Sequence, residues 1–304
     1  MITRAWILAF LLQLVPVQAP EPELAPPDQR LSLDVHIVNV LFTVSDSKGR
    51  FVKSLPKERF RVFEDDRQQP ITQFSNDTDL PLTVALMIDT SGSVSNKLVF
   101  ERQAAIEFLK STLRPGKDKS LLYTFDTHVD LLQDFTDDVG AMAHAAEKIR
   151  AGGSTALFEA VSVASQKLAN QTGRHIIILI SDGNDTFSRK SIDDALRSAQ
   201  QSDTAIYCVS TNSILKNSYQ ETDKGNKTLR RLAEETGGRI FLPMTTDELP
   251  ANFRKIDEEL RSQYALSFHP VAKQDSAFHK IRIEANNRQL HVKSRNGYFA
   301  VKSN

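Results

Sequence analysis

Residues 82–93 read Leu-Thr-Val-Ala-Leu-Met-Ile-Asp-Thr-Ser-Gly-Ser. The apolar run over 82–88 predicts a buried β-strand. Asp89, Ser91 and Ser93 follow it and place one carboxylate and two hydroxyls at alternate positions. Hard divalent cations such as Mg²⁺ prefer oxygen ligands and keep several waters in their coordination shell. The stretch therefore predicts a buried strand that ends in part of an oxygen-rich cation site, with one coordination position open to a partner.

The sequence around this stretch predicts a doubly wound α/β domain over residues 79–262. Apolar strands alternate there with helical patterns, which is typical of a mostly parallel sheet with helices on both faces. The predicted strands are 82–88, 120–125, 128–132, 176–180, 205–209 and 240–242, and the predicted helices are 97–113, 139–149, 157–168, 192–199, 229–236 and 246–261. Residues 120–132 are a predicted hairpin, which gives the sheet one antiparallel edge.

The segments on either side of this domain, 30–78 and 263–304, have β patterns. In the first, a predicted polar turn at 65–69 separates strands at 60–64 and 71–74, and in the second, strands are predicted at 264–268, 280–284 and 290–293. Each segment alone is too small to enclose a stable core. We therefore expect the two segments to pack together into one small all-β sandwich.

The amino terminus has the pattern of an exported protein. Over residues 1–19, Arg4 precedes an apolar run and small residues follow, which predicts a signal peptide. The run is shorter than the about 20 apolar residues of a membrane-spanning helix. Pro20 disfavours cleavage directly before it, so an uncleaved membrane anchor is an alternative. Residues 20–29 are a predicted linker, and the expected location is outside the cell, in its envelope or in the periplasm.

Composition disfavours polyanionic partners and excludes an intramolecular disulfide. The chain has 304 residues, with 38 Lys plus Arg against 38 Asp plus Glu, so its charge favours neither nucleic acid nor an anionic membrane. Cys208 is the single cysteine, and no intramolecular disulfide can form. Its apolar surroundings in the sequence indicate a buried, inert thiol.

Three loops of the α/β domain carry oxygen ligands. Asp89 ends the first strand, Asp182 follows the strand at 176–180 between a serine and a glycine, and Thr155 follows Gly-Gly-Ser before a helix. Ligands in open α/β sheets bind at the carboxyl ends of the strands. If the two strands are neighbours, Asp89 and Asp182 come close together, and two such carboxylates repel unless a cation lies between them.

In this order and spacing the site resembles the metal-ion-dependent adhesion site of the von Willebrand factor type A domain, over about residues 80–262. The resemblance implies that the hydroxyls of Ser91, Ser93 and Thr155 bind Mg²⁺, with Mn²⁺ or Ca²⁺ as alternatives. It implies that Asp89 and Asp182 bind the cation directly or through water, and that an Asp or Glu carboxylate of a protein partner takes the sixth position.

The flanking segments resemble those of secreted bacterial relatives of this domain, with Val-Phe-Glu-Asp at 62–65 and Gly-Tyr-Phe-Ala at 297–300. The resemblance as a whole implies an exported, non-enzymatic adhesion or protein-interaction protein. It implies no catalytic residue, no small-molecule substrate and no nucleic-acid partner.

Simpler interpretations exist for each position. Ser91, Ser93 and Thr155 have the residue types of helix caps and turns, and Asp182-Gly183 that of a turn. The neighbouring acidic residues are expected to be solvated loop carboxylates, with Asp185 the candidate for supporting the ligands; they are Asp126, Asp130, Asp134 and Asp185.

Two other functions use the same features. A Mg²⁺-dependent hydrolase would use the cation to orient water, but it needs a general base, and His128 is the histidine predicted to lie nearest the sheet edge. An assembly subunit would instead make its contacts through the β-sandwich.

Overall fold

A computed structural model of the chain describes residues 37–76, 80–92, 98–212, 219–271 and 277–300. The predicted signal peptide and linker, and Ser93 of the candidate site, lie outside these residues. The strands are β1 (Val38–Ser45), β2 (Phe60–Glu64), β3 (Arg67–Gln69), β4 (Gln73–Ser75), β5 (Leu82–Asp89), β6 (Lys119–Phe125), β7 (Val129–Thr136), β8 (Arg174–Ser181), β9 (Thr204–Ser210), β10 (Ile240–Phe241), β11 (Gln263–Phe268), β12 (Phe278–Ala285), β13 (His291–Ser294) and β14 (Gly297–Phe299). The α-helices are α1 (Leu98–Thr112), α2 (Val139–Glu147), α3 (Leu157–Ala169), α4 (Ile192–Gln201), α5 (Tyr219–Glu235) and α6 (Leu249–Leu260).

Six strands form the central sheet, in the order β10-β9-β8-β5-β6-β7. Neighbouring strands are parallel except β6 and β7, so the predicted antiparallel edge is confirmed. Every residue of β5 is buried, as expected for a strand covered on both faces. The chain passes from β5 to β6 on one side and later adds β8 on the other. The strand order therefore reverses between β5 and β8, where open α/β sheets bind their ligands.

Two hydrophobic clusters cover the two faces of this sheet. Helices α1, α2 and α6 pack over one face, on residues that include Val84 and Ile178. Helices α3, α4 and α5 pack over the other face, on residues that include Ala85 and Ile177. Successive strand residues thus point to opposite faces, and both faces are apolar. The doubly wound α/β fold that the sequence predicts is confirmed.

The flanking segments form two four-stranded sheets, in the orders β13-β1-β11-β4 and β14-β12-β2-β3. Each sheet contains strands from both ends of the chain, because β1 pairs with β11 and β13 in one sheet and β2 pairs with β12 in the other. Between the sheets, the rings of Phe42, Phe60 and Tyr264 pack with centroids 5.0 to 5.4 Å apart. The predicted sandwich of amino- and carboxyl-terminal strands is confirmed.

The two sequence motifs of the flanking segments meet in this sandwich. The Tyr298 hydroxyl donates to the buried carboxylate of Glu64, which also accepts from the Val271 N–H at 2.8 Å. Asp65 Oδ2 lies 2.8 Å from His279 Nδ1. The motifs at 62–65 and 297–300 are therefore joined by a buried polar contact between the ends of the chain.

Two predicted helices begin or end at other residues in the structure. The pattern predicts a helix over 229–236, but α5 begins ten residues earlier, at Tyr219. Its first turns are polar and carry an ion pair between Asp223 and Lys227, so they lack the apolar repeat on which the prediction depends. The last predicted helix divides into a 3-10 turn, Thr246–Glu248, and α6, in which Pro250 occupies the first turn.

Two short strands also differ from the prediction. Residues 67–69, predicted as part of a turn, form β3, and residues 297–299 form β14, because each pairs with a partner strand in the sandwich.

Within the described part of the chain, no helix combines the length and the apolar character needed to span a membrane.

Candidate metal centre

The loop after β5 and the loop after β8 lie side by side at the carboxyl edge of the central sheet. The two strands pair in parallel with Ile88 opposite Ile180, so Asp89 lies next to Ser181 and one residue from Asp182. The structure therefore confirms that the two strands are neighbours. This edge is also the point at which the strand order reverses.

Main-chain hydrogen bonds bring the third loop to the same place. The Gly152 N–H donates to the Thr90 carbonyl at 2.7 Å, and the Gly92 N–H donates to the Gly153 carbonyl at 3.2 Å. Gly153 has a φ of 81°, which favours glycine. The loop that precedes α3, with Thr155 at its end, is thus fixed against the loop that follows Asp89.

Asp89 is fully buried and hydrogen-bonded to two serines. Its Oδ2 accepts from the Ser181 hydroxyl at 2.7 Å, and its Oδ1 accepts from the Ser91 N–H at 2.9 Å. The pKa of Asp89 is raised from 3.8 to about 6, because burial and the nearby charge of Asp182 together outweigh the hydrogen bonds from Ser181 and Ser91, which lower it. The site therefore disfavours the negative charge of Asp89 when no cation is present.

Asp182 and Thr155 are two further buried ligand candidates, 3% and 5% exposed. Asp182 Oδ1 accepts from the Asn184 N–H at 2.9 Å, which closes a tight turn after β8. The Thr155 N–H donates to the Thr186 hydroxyl at 2.9 Å, and its carbonyl accepts from the N–H groups of Thr186 and Phe187. Asp182 is therefore positioned by a hydrogen bond to its side chain and Thr155 by hydrogen bonds to its main chain, as a preformed ligand site requires.

The donor set fits a hard divalent cation. The described candidates are the carboxylates of Asp89 and Asp182 and the hydroxyls of Ser91 and Thr155, all of them oxygen donors, and Ser93 is the fifth candidate. Among the described residues, no three His, Cys, Asp or Glu side chains form a cluster able to hold a metal ion. The set suits Mg²⁺, Mn²⁺ or Ca²⁺ better than zinc, which is bound by nitrogen and sulfur ligands.

The neighbouring aspartates have other contacts. Asp126 Oδ1 accepts from the His128 N–H within the hairpin, and Asp134 pairs with Lys167 at 2.9 Å. Asp130 is exposed. Asp185 accepts from the Phe158 N–H at 3.0 Å and from the Ser188 N–H at 3.1 Å, so it caps the first turn of α3 from another loop. Asp185 thus fixes the start of α3, which follows Thr155, and its support of the metal ligands stays a prediction.

Sequence reasoning assigned no role to Ser181 or Asn212. Ser181 belongs to the Ser-Asp-Gly motif, but the sequence does not show that its hydroxyl, at the end of β8, donates to Asp89 at the end of the neighbouring strand β5. The Asn212 side chain donates to the Asp182 carbonyl at 2.6 Å. Its place directly after β9, at the same edge of the sheet, is the signal that would have indicated a role.

Residues 84–184 match the model of the von Willebrand factor type A domain. The central part of the chain is thus similar to a von Willebrand factor type A domain. The matched part runs from β5 to the turn after β8 and includes all five candidate ligands, so the resemblance seen in the sequence is confirmed.

Solved structures of similar fold include bacterial von Willebrand factor type A proteins. The protein titled von Willebrand factor type A from Catenulispora acidiphila is 12% identical, with a TM-score of 0.49 and 86% of this chain and 73% of that chain covered. The von Willebrand factor domain of the type V pili tip protein Mfa5 from Porphyromonas gingivalis is 14% identical, with a TM-score of 0.48 and 59% and 95% covered.

The PilB minor pilin from Streptococcus sanguinis is 15% identical, with a TM-score of 0.49 and 64% of each chain covered. This chain therefore spans slightly less than two thirds of the PilB chain. No curated protein sequence matches the chain.

Proposed function

We propose that this protein is an exported, non-enzymatic adhesion or protein-interaction protein. Its von Willebrand factor type A domain binds a divalent cation, Mg²⁺ in the first place, through Asp89, Ser91, Ser93, Thr155 and Asp182. The cation in turn binds an Asp or Glu carboxylate of a protein partner. The protein acts outside the cell or in the cell envelope.

The observation that carries this proposal is the unbalanced charge of Asp89. The main influences on its pKa are burial, two serines and Asp182, and none of these is a cation. Two carboxylates held this close at the switch point of the sheet are stabilised when a divalent cation binds between them. The site therefore has the chemistry of a cation site rather than of a structural ion pair.

The neutral hydroxyls explain why a partner would be bound. Two carboxylates balance the charge of a divalent cation, and hydroxyl ligands such as Ser91 and Thr155 add no further negative charge. The cation then keeps affinity for one more oxygen ligand, and Mg²⁺ commonly completes its shell with water or with an anionic group from another molecule. An acidic side chain of a protein fits this open position.

No observation on the described residues favours the hydrolase alternative. His128 is exposed in the hairpin between β6 and β7, where its main-chain N–H donates to Asp126. A general base must lie within hydrogen-bond reach of the water that it activates. We therefore propose a binding function for the site.

Metal binding is tested with Mn²⁺ as the probe, by titration calorimetry and electron paramagnetic resonance on the full chain. The wild type should bind one Mn²⁺, and Asp89→Ala should lose this binding. Asp130→Ala, which removes an exposed aspartate of β7, is the matched control and should bind as the wild type does. Equal binding by Asp89→Ala and the wild type would refute the metal site.

Partner binding is tested by retaining proteins of the extracellular or envelope fraction on the immobilised chain. Retention should require Mg²⁺, be reversed by EDTA and be absent with Asp89→Ala. Conversion of carboxylates in the fraction to amides should also abolish it. Retention that survives both EDTA and amidation would instead favour contacts through the β-sandwich.

A further inference from the structure

Helix α5 packs against the loop that carries Asp182 with main chain touching main chain. A Cβ atom on Gly225, in the second turn of α5, would lie 2.1 Å from the Asp182 carbonyl oxygen. A Cβ atom on Gly183 would lie 2.4 Å from the Gly225 carbonyl oxygen, and Gly183 has a φ of 80°. Such distances leave no space for a side chain on either residue. The position of α5 therefore determines where the Asp182 loop can lie.

Asn212 joins this loop to α5. The side chain is 1% exposed, and its Nδ2 donates to the Asp182 carbonyl at 2.6 Å and to Asn226 Oδ1 at 3.1 Å. Asn226, on α5, accepts in addition from the Ser210 hydroxyl at 2.7 Å. One buried amide group thus links the end of β9, the Asp182 loop and the helix, and a buried polar network of this kind holds its members in a single arrangement.

The same end of β9 also holds the serine that contacts Asp89. The Thr211 N–H donates to the Ser181 carbonyl at 3.1 Å, and the Ser181 hydroxyl donates to Asp89. The segment 210–212 therefore supports both carboxylates of the candidate centre, although it contributes no ligand of its own.

We propose that Asn212 is a positioning residue for Asp182 and that, through Asn226 and Gly225, it makes the cation affinity depend on the position of α5. This inference rests on the proposed metal site. It assigns a role to the segment after β9 and to a helix that carries none of the five candidate ligands. Groups that orient metal ligands without touching the metal typically contribute a factor of 10 to 100 to metal affinity.

The first experiment measures the Kd of Mn²⁺ for Asn212→Ala by calorimetry and the unfolding temperature of the same protein in EDTA. The Kd should rise about 10-fold. Asn170→Ala, an exposed asparagine at the other end of the domain after α3, is the matched control and should leave the Kd unchanged. A folded Asn212→Ala protein with the wild-type Kd would overturn the proposal.

Gly225→Ala separates positioning from general stability. Alanine is a better helix former than glycine, so an effect on the helix alone predicts an equal or higher unfolding temperature and an unchanged Kd. Positioning predicts a weaker Mn²⁺ affinity, because the added Cβ atom meets the Asp182 carbonyl. The control is Lys224→Ala, an exposed neighbour on the same helix.

Asp182→Ala distinguishes failure of this inference from failure of the proposed function. If Asp182→Ala binds Mn²⁺ as the wild type does, the metal site itself is wrong. If Asp182→Ala loses binding while Asn212→Ala and Gly225→Ala keep the wild-type Kd, the metal site stands and the positioning role is wrong. Should Asn212→Ala fail to fold, Gly225→Ala together with Asn226→Ala decides: weaker binding supports the proposal and unchanged Kd values overturn it.

Discussion

Two buried aspartates lie at opposite edges of the central sheet, and their surroundings differ. Asp118 precedes β6 at the amino edge, and its carboxylate accepts from the Leu82 N–H at 2.8 Å, from Arg114 at 2.8 Å and from Arg261 at 3.2 Å. Burial raises the pKa of Asp118, but these hydrogen bonds outweigh burial and hold the pKa well below 3.8. Asp89, at the carboxyl edge, has serines as its partners and a pKa raised to about 6.

The two edges of the sheet differ in how the charge of the buried carboxylate is balanced. At the amino edge the chain supplies both the carboxylate and its counter-charges, and the resulting contacts tie β5 to α1 and α6. At the carboxyl edge the described hydrogen bonds to the Asp89 carboxylate come from serines, and under the proposed function a bound cation supplies the counter-charge. A buried charge without a partner lowers stability in the free protein and raises affinity for a cation.

The largest effect is expected for Asp118→Asn. The substitution leaves Arg114 and Arg261 without their shared carboxylate, and removal of one partner of a buried ion pair costs about 3 kcal/mol of unfolding free energy. Urea denaturation in EDTA at pH 7.5 measures it, with the exposed Asp130→Asn as the control. A loss equal to that of the control would mean that Asp118 is no more important than a surface carboxylate.

The contribution of Asp118 to the free energy of unfolding should also decrease at low pH. The pKa of Asp118 is lowered in the folded chain, so the unfolded chain takes up its proton first as the pH falls. The stability difference between the wild type and Asp118→Asn should therefore be full above about pH 4 and shrink below it.

The second effect concerns the cation. A ligand at 100 times its Kd that binds the folded state alone adds about 2.7 kcal/mol to the unfolding free energy. Mg²⁺ at that concentration should stabilise the wild type and Asp118→Asn by this amount and leave Asp89→Ala unchanged in urea denaturation. Equal stabilisation of Asp89→Ala would place the cation elsewhere.

The third expected effect is a gain in unfolding free energy, opposite in sign to the loss expected for Asp118→Asn. Because the folded pKa of Asp89 is about 6 and the unfolded value is 3.8, the ionised carboxylate destabilises the metal-free fold above pH 6 and has no such effect below pH 3.8. Asp89→Asn removes the charge, so in EDTA at pH 7.5 it should be more stable than the wild type by roughly 2–3 kcal/mol. The gain should disappear as the pH falls towards 4. Thermal and urea unfolding over this pH range test the sign.

The smallest effect is expected for Asp185→Ala. Asp185 differs from both Asp118 and Asp89, because main-chain N–H groups at the start of α3 and in its own loop donate hydrogen bonds to its carboxylate. Loss of a capping carboxylate costs about 1 kcal/mol. Urea denaturation should show a loss between those of Asp130→Ala and Asp118→Asn, and no loss would mean that α3 is capped by other groups.

The sequence predicted the fold best where burial is most uniform. Strands β5 and β8 are unbroken apolar runs, and in a parallel sheet covered on both faces such runs are the expected pattern. The polar first turns of α5 and the short β14 were missed, because their structure depends on packing partners far away in the chain. The candidate ligands could be picked out because each follows the end of a strand or precedes a helix, and the metal-binding role of all five stays a prediction.

The sequence by itself determined the alternation of strands and helices, the place of the ligand loops at strand ends and the residue types of an oxygen-donating site, since all of these follow from local patterns of polarity and from residue chemistry. Tertiary structure alone decided which strands are neighbours and how deeply Asp89 is buried. It also decided that Arg114 and Arg261 neutralise Asp118, whereas Ser181 and Asn212 support the other edge of the sheet. The reason is physical: pKa values and contacts depend on distances between residues far apart in the chain, and these distances are defined when the core packs.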